Sequence, residues 1–275
     1  MNKLTDYDLW NEDYDKKILN IENLFTSSST DGLDKNDYGN YFLWDVLLNK
    51  FLPFGENKKV VEIGSAPGIN LLQFKKQFGY QPFGIEYTKS GSEINKILFK
   101  KNNIDESNVI RADFFSEDIE QFYNFFDIVN SNGFIEHFDD VDNVIDRHMK
   151  LLKNDGYLVV IIPNLRGFYY HWTKQFNPIV LTHHNLKIME IDSFKKLFQR
   201  DDLEELYCNY FGIFHYGLLT NEKSFIANLF LSCFSRTYKI FNTFFKLFFK
   251  KKGIESKVFS PYLVYIGKKN VKNIS

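Results

Sequence analysis

From residue 59 onward the apolar positions come in short runs of strand length, each followed by a stretch with helical spacing. Val60-Val61-Glu62-Ile63, Pro82-Phe83-Gly84-Ile85-Glu86, Val109-Ile110-Arg111-Ala112-Asp113, Phe126-Asp127-Ile128-Val129 and residues 157–162 predict five strands. The fifth is the most apolar, the pattern of a strand covered on both faces. Residues 71–78, 92–101 and 141–152 predict the helices between them. Strands alternating with helices predict an α/β fold with a doubly wound, mostly parallel sheet and helices on both faces. Residues 204–214 and 260–266 extend the sheet to seven strands, the last one antiparallel.

Before the sheet, Tyr7, Trp10, Tyr14, Ile18 and Ile21, then Tyr38, Tyr41, Phe42, Val46 and Leu47, follow helical spacing on either side of a polar loop at 27–32. Neither an internal repeat nor a Gly/Ser-rich linker divides the chain. Residues 1–275 read as one domain, with a helical cap over 1–50, a core over 51–165, a lid over 166–200 and a helical insertion over 222–255. At 44% hydrophobic and 25% charged, the composition excludes disordered and collagen-like classes. A net charge of -1 leaves no global positive field to hold a phosphate backbone, so no nucleic-acid partner is expected. Cys208 and Cys233 make neither a disulfide framework nor a CxxC pair, and charged residues follow Leu4 where a signal peptide would be apolar. Both features predict a cytoplasmic protein. The aromatic share of 18% goes with abundant Asn, Lys and Ile, as an AT-biased genome produces, and carries little functional weight.

The informative stretch is Glu62-Ile63-Gly64-Ser65-Ala66-Pro67-Gly68-Ile69-Asn70, a strand entering a small-residue turn and then a helix. Glycines at 64 and 68 let a ligand approach the main chain, and the N–H groups of a helix start favour an anionic group. Glu86 ends the second predicted strand, where a carboxylate can accept both hydroxyls of a ribose. Asp113 ends the third, with Phe114 beside it as a stacking face for a base. In an open α/β sheet these strand ends line one crevice, so the three signals converge on an adenosine-shaped site.

These residues resemble the class I S-adenosylmethionine-dependent methyltransferases, in particular the small-molecule branch of type 11, 12 and 23 methyltransferase domains, over residues 40–165. That family carries E/D-x-G-x-G-x-G after its first strand, matched from Glu62 to Gly68 with Ala66 in place of the middle glycine. Glu86 corresponds to its ribose ligand and Asp113 to its adenine-side acid. Its fourth-strand FDxV and the Glu-His that follows are Phe126-Asp127-Ile128-Val129 and Glu136-His137. Its Leu-Lys-x-x-Gly, apolar run and Pro-Asn are Leu152-Lys153-Asn154-Asp155-Gly156 through Pro163-Asn164. The resemblance implies a Rossmann-like sheet, S-adenosyl-L-methionine as donor and S-adenosyl-L-homocysteine as product. It implies cofactor contacts at Glu62, Gly64, Ser65, Ala66, Pro67, Gly68, Asn70, Glu86, Tyr87, Asp113, Phe114, Asn130 and Asn132. A dehydrogenase shares the glycine turn and the acid. Here, however, the turn is G-x-x-x-G and no Tyr-x-x-x-Lys follows.

A hydroxyl nucleophile has a high pKa, so a histidine near the transferred methyl is useful. His137, after the fourth strand, is one candidate, and His183 and His184 are the others. Each also reads as an ordinary loop residue. In the family the segment after strand five builds a lid over the acceptor, which points to Arg166, Tyr169, Tyr170 and His171 for substrate binding. Asp139, Asp140 and Asp142 near His137 read as an acidic helix start, and no Cys/His spacing suggests zinc, so no metal is expected. The chain has Asn130-Ser131-Asn132-Gly133 where base-modifying relatives have Asn-Pro-Pro-Tyr. A small acceptor remains, and the resemblance implies a nucleotide-linked sugar or glycan of bacterial surface polysaccharide, methylated on oxygen. A quinone or lipid-like acceptor is the alternative, and a non-catalytic cofactor-binding scaffold is the alternative of another class. Ile226, Phe230, Phe234, Tyr238, Phe241, Phe245 and Phe248 predict an amphipathic helix within 224–252. It packs on the domain or on a second subunit, or it lies on a membrane surface through its basic end.

Overall fold

The computed structural model describes residues 3–19, 33, 37–219, 221, 224–253 and 255–270, without the side chains of Leu19, Tyr216, Ile226, Phe234, Ser235 and Lys239. Ile21 and the loop at 27–32 lie outside the described residues. Seven strands, β1 (Lys59–Ile63), β2 (Gln81–Glu86), β3 (Val109–Arg111), β4 (Phe126–Asn132), β5 (Leu152–Pro163), β6 (Leu203–Phe211) and β7 (Tyr262–Lys269), form one sheet in the order β3-β2-β1-β4-β5-β7-β6. The first five are parallel; β7 runs antiparallel between β5 and β6. The fold is the Rossmann-like α/β sheet expected, including its antiparallel last strand.

Side chains alternate between two cores. Val60, Ile128, Val159, Ile161, Val264 and Ile266 face the first, with the helices Ile69–Phe78 and Lys89–Lys101 and the run from Tyr38 to Phe51. Val61, Ile63, Val129, Leu158, Val160 and Ile162 face the second, with the helix Val141–Leu151 and with Phe194 and Phe198. Both faces of the central strands are thus dry, at about 1.5 to 3 kcal/mol for each aliphatic side chain buried, which is why β5 reads as a continuous apolar run. β5 begins five residues before the predicted strand because Phe126 already pairs with Leu152, and the register then shifts to Ile128 opposite Tyr157.

Because β2 and β3 lie on one side of β1 and β4 on the other, the order reverses between β1 and β4. A crevice therefore opens beyond their carboxyl ends. The turn there needs its glycines for packing as much as for ligand approach. Gly64 has φ 70°, and a Cβ on it would stand 3.0 Å from the Phe134 ring. Gly68 has φ 95° at the start of the helix Ile69–Phe78, and a Cβ there would overlap Asn95 Oδ1.

The helix Phe225–Phe249 lies between β6 and β7. Among the described residues no helix is long and apolar enough to cross a membrane. Its buried side matches the predicted stripe in part: Tyr238 and Phe245 of that stripe face inward as expected, joined by Ala227, Asn242 and Phe249. Phe230, Phe241 and Phe248 of the predicted stripe are exposed, beside Phe225, Ile240, Phe244 and Leu247. Ile226 and Phe234 lie outside the described side chains. The difference arises because Asn242, polar in sequence, faces inward to accept from the Tyr38 N–H at 3.2 Å and to donate to Asp37.

Gly68→Ala is expected to cost about 1 to 3 kcal/mol of folding stability, read by urea denaturation. Gly55→Ala, where a Cβ meets only the flexible Lys58 stem at 3.4 Å, should change it by less than about 0.5 kcal/mol.

Candidate functional site

Two cavities meet the carboxyl ends of β1, β2 and β4. The first, about 650 Å³ including its mouth, is lined by Gly64, Glu86, Tyr87, Asp113, Phe114, Phe134 and His137 together with Lys3, Thr5, Trp10 and Tyr14. Glu86 is buried and accepts from the Thr88 N–H at 2.9 Å, the Thr88 hydroxyl at 2.7 Å and the Ala66 N–H at 3.4 Å. Burial raises its pKa and those donors pull it back. Burial also acts upward on Asp113, but Lys3 at 2.7 Å and the Phe115 N–H at 3.0 Å leave its carboxyl below the ordinary range. Phe114 is buried, edge-on to Phe134 and His148. The arrangement fits an adenosine: a carboxylate for a vicinal diol, an acid beside it, and aromatic walls.

The N-terminal segment roofs this cavity. The helix Tyr7–Leu19 lies against Lys89–Lys101, with Tyr14 Oη donating to Ala66 O at 3.2 Å, Ser90 Oγ donating to Asp15, and Tyr87 Oη donating to Asp6 O at 3.1 Å. Trp10 stands edge-on to His137 at 5.2 Å. The sequence predicts a helical cap here without showing what it covers. Its one signal was the Tyr7, Trp10, Tyr14 spacing.

Behind the glycine turn, Glu62 is buried and accepts from Asn70 Nδ2 at 2.7 Å and Asn130 Nδ2 at 3.0 Å. Burial pushes its pKa up to about 8 against those two hydrogen bonds. The expected cofactor residues are therefore of two kinds. Gly64, Glu86, Tyr87, Asp113 and Phe114 line the cavity. Glu62, Ser65 and Asn130 are buried behind it, and Ser65 Oγ accepts from Asn95 at 2.6 Å. Ala66 presents its main chain to Tyr14 and Glu86, and Pro67 leads into Gly68.

The second cavity, about 850 Å³ including its mouth, reaches Asn70 and Asn132 and is walled by Asp37, Tyr38, Asn40, Trp44, Phe214, His215, Asn242, Phe245 and Tyr262. His215 Nδ1 lies 3.4 Å from Tyr262 Oη, and burial lowers its pKa. No sequence signal isolated His215, which lies between β6 and the long helix. The predicted acceptor set does not gather here. Arg166 pairs with Glu190 at 2.7 Å, and its guanidinium also donates to Leu186 O. Tyr169 is fully buried, with Oη accepting from the His215 N–H at 2.8 Å. Tyr170 and His171 line neither cavity. They fail to converge because the helix Gly167–Phe176 turns its buried face to the sheet.

His137 and His184 do come together, with ring centroids 4.6 Å apart. His137 Nδ1 lies 2.7 Å from His183 O, and His184 Nδ1 lies 2.6 Å from Val180 O. Burial lowers both pKa values, that of His137 to about 4, with His184 as a lesser cause. His183 contributes its carbonyl to this arrangement.

The family model of a methyltransferase domain, type 23, matches residues 38–207, more than half of the chain. No curated protein matches. Solved structures share the fold at low identity. Geranyl diphosphate C-methyltransferase from Streptomyces coelicolor, in complex with Mg2+, geranyl diphosphate and S-adenosyl-L-homocysteine, is 13% identical with TM-score 0.54, covering 82% of this chain and 76% of that one. A putative methyltransferase from Bacillus halodurans is 15% identical with TM-score 0.55, covering 82% and 97%. Phosphoethanolamine N-methyltransferase 2 of Haemonchus contortus, in complex with S-adenosyl-L-methionine, is 16% identical with TM-score 0.52, covering 84% and 53%.

Glu86→Gln is expected to weaken S-adenosylmethionine binding at least tenfold by calorimetry, since the amide accepts only one of two ribose hydroxyls on its oxygen. Glu62 ionises only above its ordinary 4.5 and near 8 when folded, so its protonated form stabilises the folded chain and that contribution is lost as pH rises from about 4.5 through 8. Thermal melts of the ligand-free protein should fall over that window, by on the order of a few kcal/mol, and Glu62→Gln should flatten part of the fall.

Proposed function

The chain belongs to the methyltransferase domain family and is an S-adenosylmethionine-dependent methyltransferase, and we propose that it methylates an oxygen of a small hydroxylated acceptor, a sugar or sugar substituent carried on a nucleotide. The observation that carries this reading is the second cavity. It meets the glycine-turn helix and β4 at Asn70 and Asn132, and its wall mixes amides, a carboxylate and an imidazole with the aromatic faces of Tyr38, Trp44 and Phe214. Hydroxyls pair with the first group and the apolar face of a sugar ring packs on the second.

The bound donor supplies an activated methyl on a sulfonium, so the chain has to align the nucleophile with it and keep water out. Alignment is worth about 7 to 11 kcal/mol. Asn70 and Asn132 line the acceptor cavity and lie on the glycine-turn helix and β4, the side on which in-line displacement would bring the two substrates together. The hydroxyl proton goes to His215, whose buried imidazole is neutral at neutral pH and sits beside Tyr262. His137 is the alternative proton acceptor on the donor side, with Nδ1 committed to His183 O.

A second reading has its own support. The helix that walls the acceptor cavity through Asn242 and Phe245 carries an exposed apolar face, with Phe225 80% and Ile240 71% exposed, and Lys250, Lys251 and Lys252 follow it. That combination suits a lipid-like acceptor taken from an anionic membrane surface.

Release of S-adenosylhomocysteine, measured across nucleotide-sugars and across quinones in anionic vesicles, separates the two. Turnover on a nucleotide-sugar supports the first reading; turnover confined to vesicle-borne acceptors supports the second. With the active acceptor, His215→Ala should lower kcat by about 10²-fold or more and leave donor affinity within twofold. An unchanged kcat removes His215 from the mechanism.

A further inference from the structure

Asp139, Asp140 and Asp142, adjacent in sequence, read as an acidic helix start. The structure places a different set together. Glu136 and His137, from the turn after β4, and His184, from the segment before residue 190, bring one ligand atom each within 4.8 Å of one another. Glu136 and His137 are buried and His184 is half-buried.

Three features separate this cluster from a chance meeting of polar groups. The ring nitrogens are already sorted: a carbonyl only accepts, so His137 and His184 each carry the proton on Nδ1, given to His183 O and Val180 O. Both Nε2 atoms are left as lone pairs. An Nδ1–H held by a main-chain carbonyl is the arrangement that orients metal-binding imidazoles. Next, Glu136 adds a carboxylate, with Oε1 3.9 Å from His137 Nε2 and Oε2 buried without a hydrogen-bond partner. Such an atom is costly to bury unless something fills its lone pairs. Finally, once Glu136 is ionised the three groups offer one another acceptors and no donor, an arrangement that a cation relieves.

We propose that Glu136, His137 and His184 bind one divalent transition-metal ion at the wall of the donor cavity. Two imidazoles and one carboxylate select Mn2+, Fe2+, Co2+ or Zn2+ over Mg2+ and Ca2+, which prefer all-oxygen shells. With metal–nitrogen and metal–oxygen bonds of about 2.0 to 2.2 Å, ligand atoms stand about 3 to 3.5 Å apart, so from a widest separation of up to 4.8 Å the cluster contracts by up to about 1.5 Å. Side-chain rotation of Glu136 and His184 accommodates that change. Three protein ligands leave at least one coordination position, open to water or another oxygen ligand. The ion ties the turn after β4 to the segment at 183–185, already joined by the Asn185 N–H donating to Glu136 O at 2.7 Å. It thereby fixes His137 against the donor cavity.

The test is equilibrium dialysis of the chelator-stripped full chain against Mn2+, Co2+ and Zn2+, with neither donor nor acceptor present, so that its outcome is independent of the acceptor assignment. One ion per chain at micromolar or tighter Kd is expected, with Co2+ giving visible d–d absorption and millimolar Mg2+ failing to compete. Glu136→Gln and His184→Ala should each weaken binding at least tenfold and abolish the metal-induced rise in Tm, while Asp142→Asn leaves both unchanged. His184→Gln serves as the second variant should the alanine fold poorly. Absence of stoichiometric binding to the wild-type chain, or binding that survives the Glu136 and His184 variants, or binding lost in Asp142→Asn, overturns the proposal.

Discussion

The donor crevice depends on one buried carboxyl group. Glu62 on β1 takes one amide from the helix after the glycine turn, through Asn70, and one from β4, through Asn130. A carboxyl so far from water is costly unless its lone pairs are filled, so the two asparagines and the acid hold one another in place. Their hydrogen bonds tie β1 to β4 and to the helix after the turn. Gly64 and Gly68 then close the turn against Phe134 and Asn95 with no room for a side chain. Glu86, Asp113, Phe114 and the N-terminal roof over them line the cavity beside that corner.

The five parallel strands and the doubly wound class followed from pattern because each central strand is dry on both faces, and burial on that scale overrides local preference. The glycine turn, Glu86 and Asp113 could be read because backbone chemistry at strand ends leaves a local trace. Boundaries were less legible where pairing rather than hydropathy decides: the Phe126 to Leu152 pair lengthens β5 backward into a charged stretch. The long helix misled the periodicity for a related reason. Thirty phenylalanines supply more apolar positions than one face needs, and a polar Asn242 takes an inward place through its bond to Tyr38.

Site residues that act through distant contacts left no such trace. His215 reaches the second cavity only because β6 and β7 pair antiparallel and bring the β6 exit beside Tyr262. Arg166, Tyr170 and His171 are dense in sequence yet point to Glu190, to one another and to solvent-side neighbours. The pairing of His137 with His184 is a long-range event, which residues adjacent in sequence do not announce. Aromatic spacing near the N-terminus predicted a helix but not that Trp10 and Tyr14 wall the first cavity.

The roofed crevice is the claim on which the rest stands, and amide hydrogen exchange of the full chain with and without S-adenosylhomocysteine tests it most directly. The account predicts slowed exchange at 3–15, 64–70, 86–91 and 112–116, with the helix Phe225–Phe249 unchanged. Protection confined to that helix and the β6 exit, with the N-terminal segment unaffected, would contradict it.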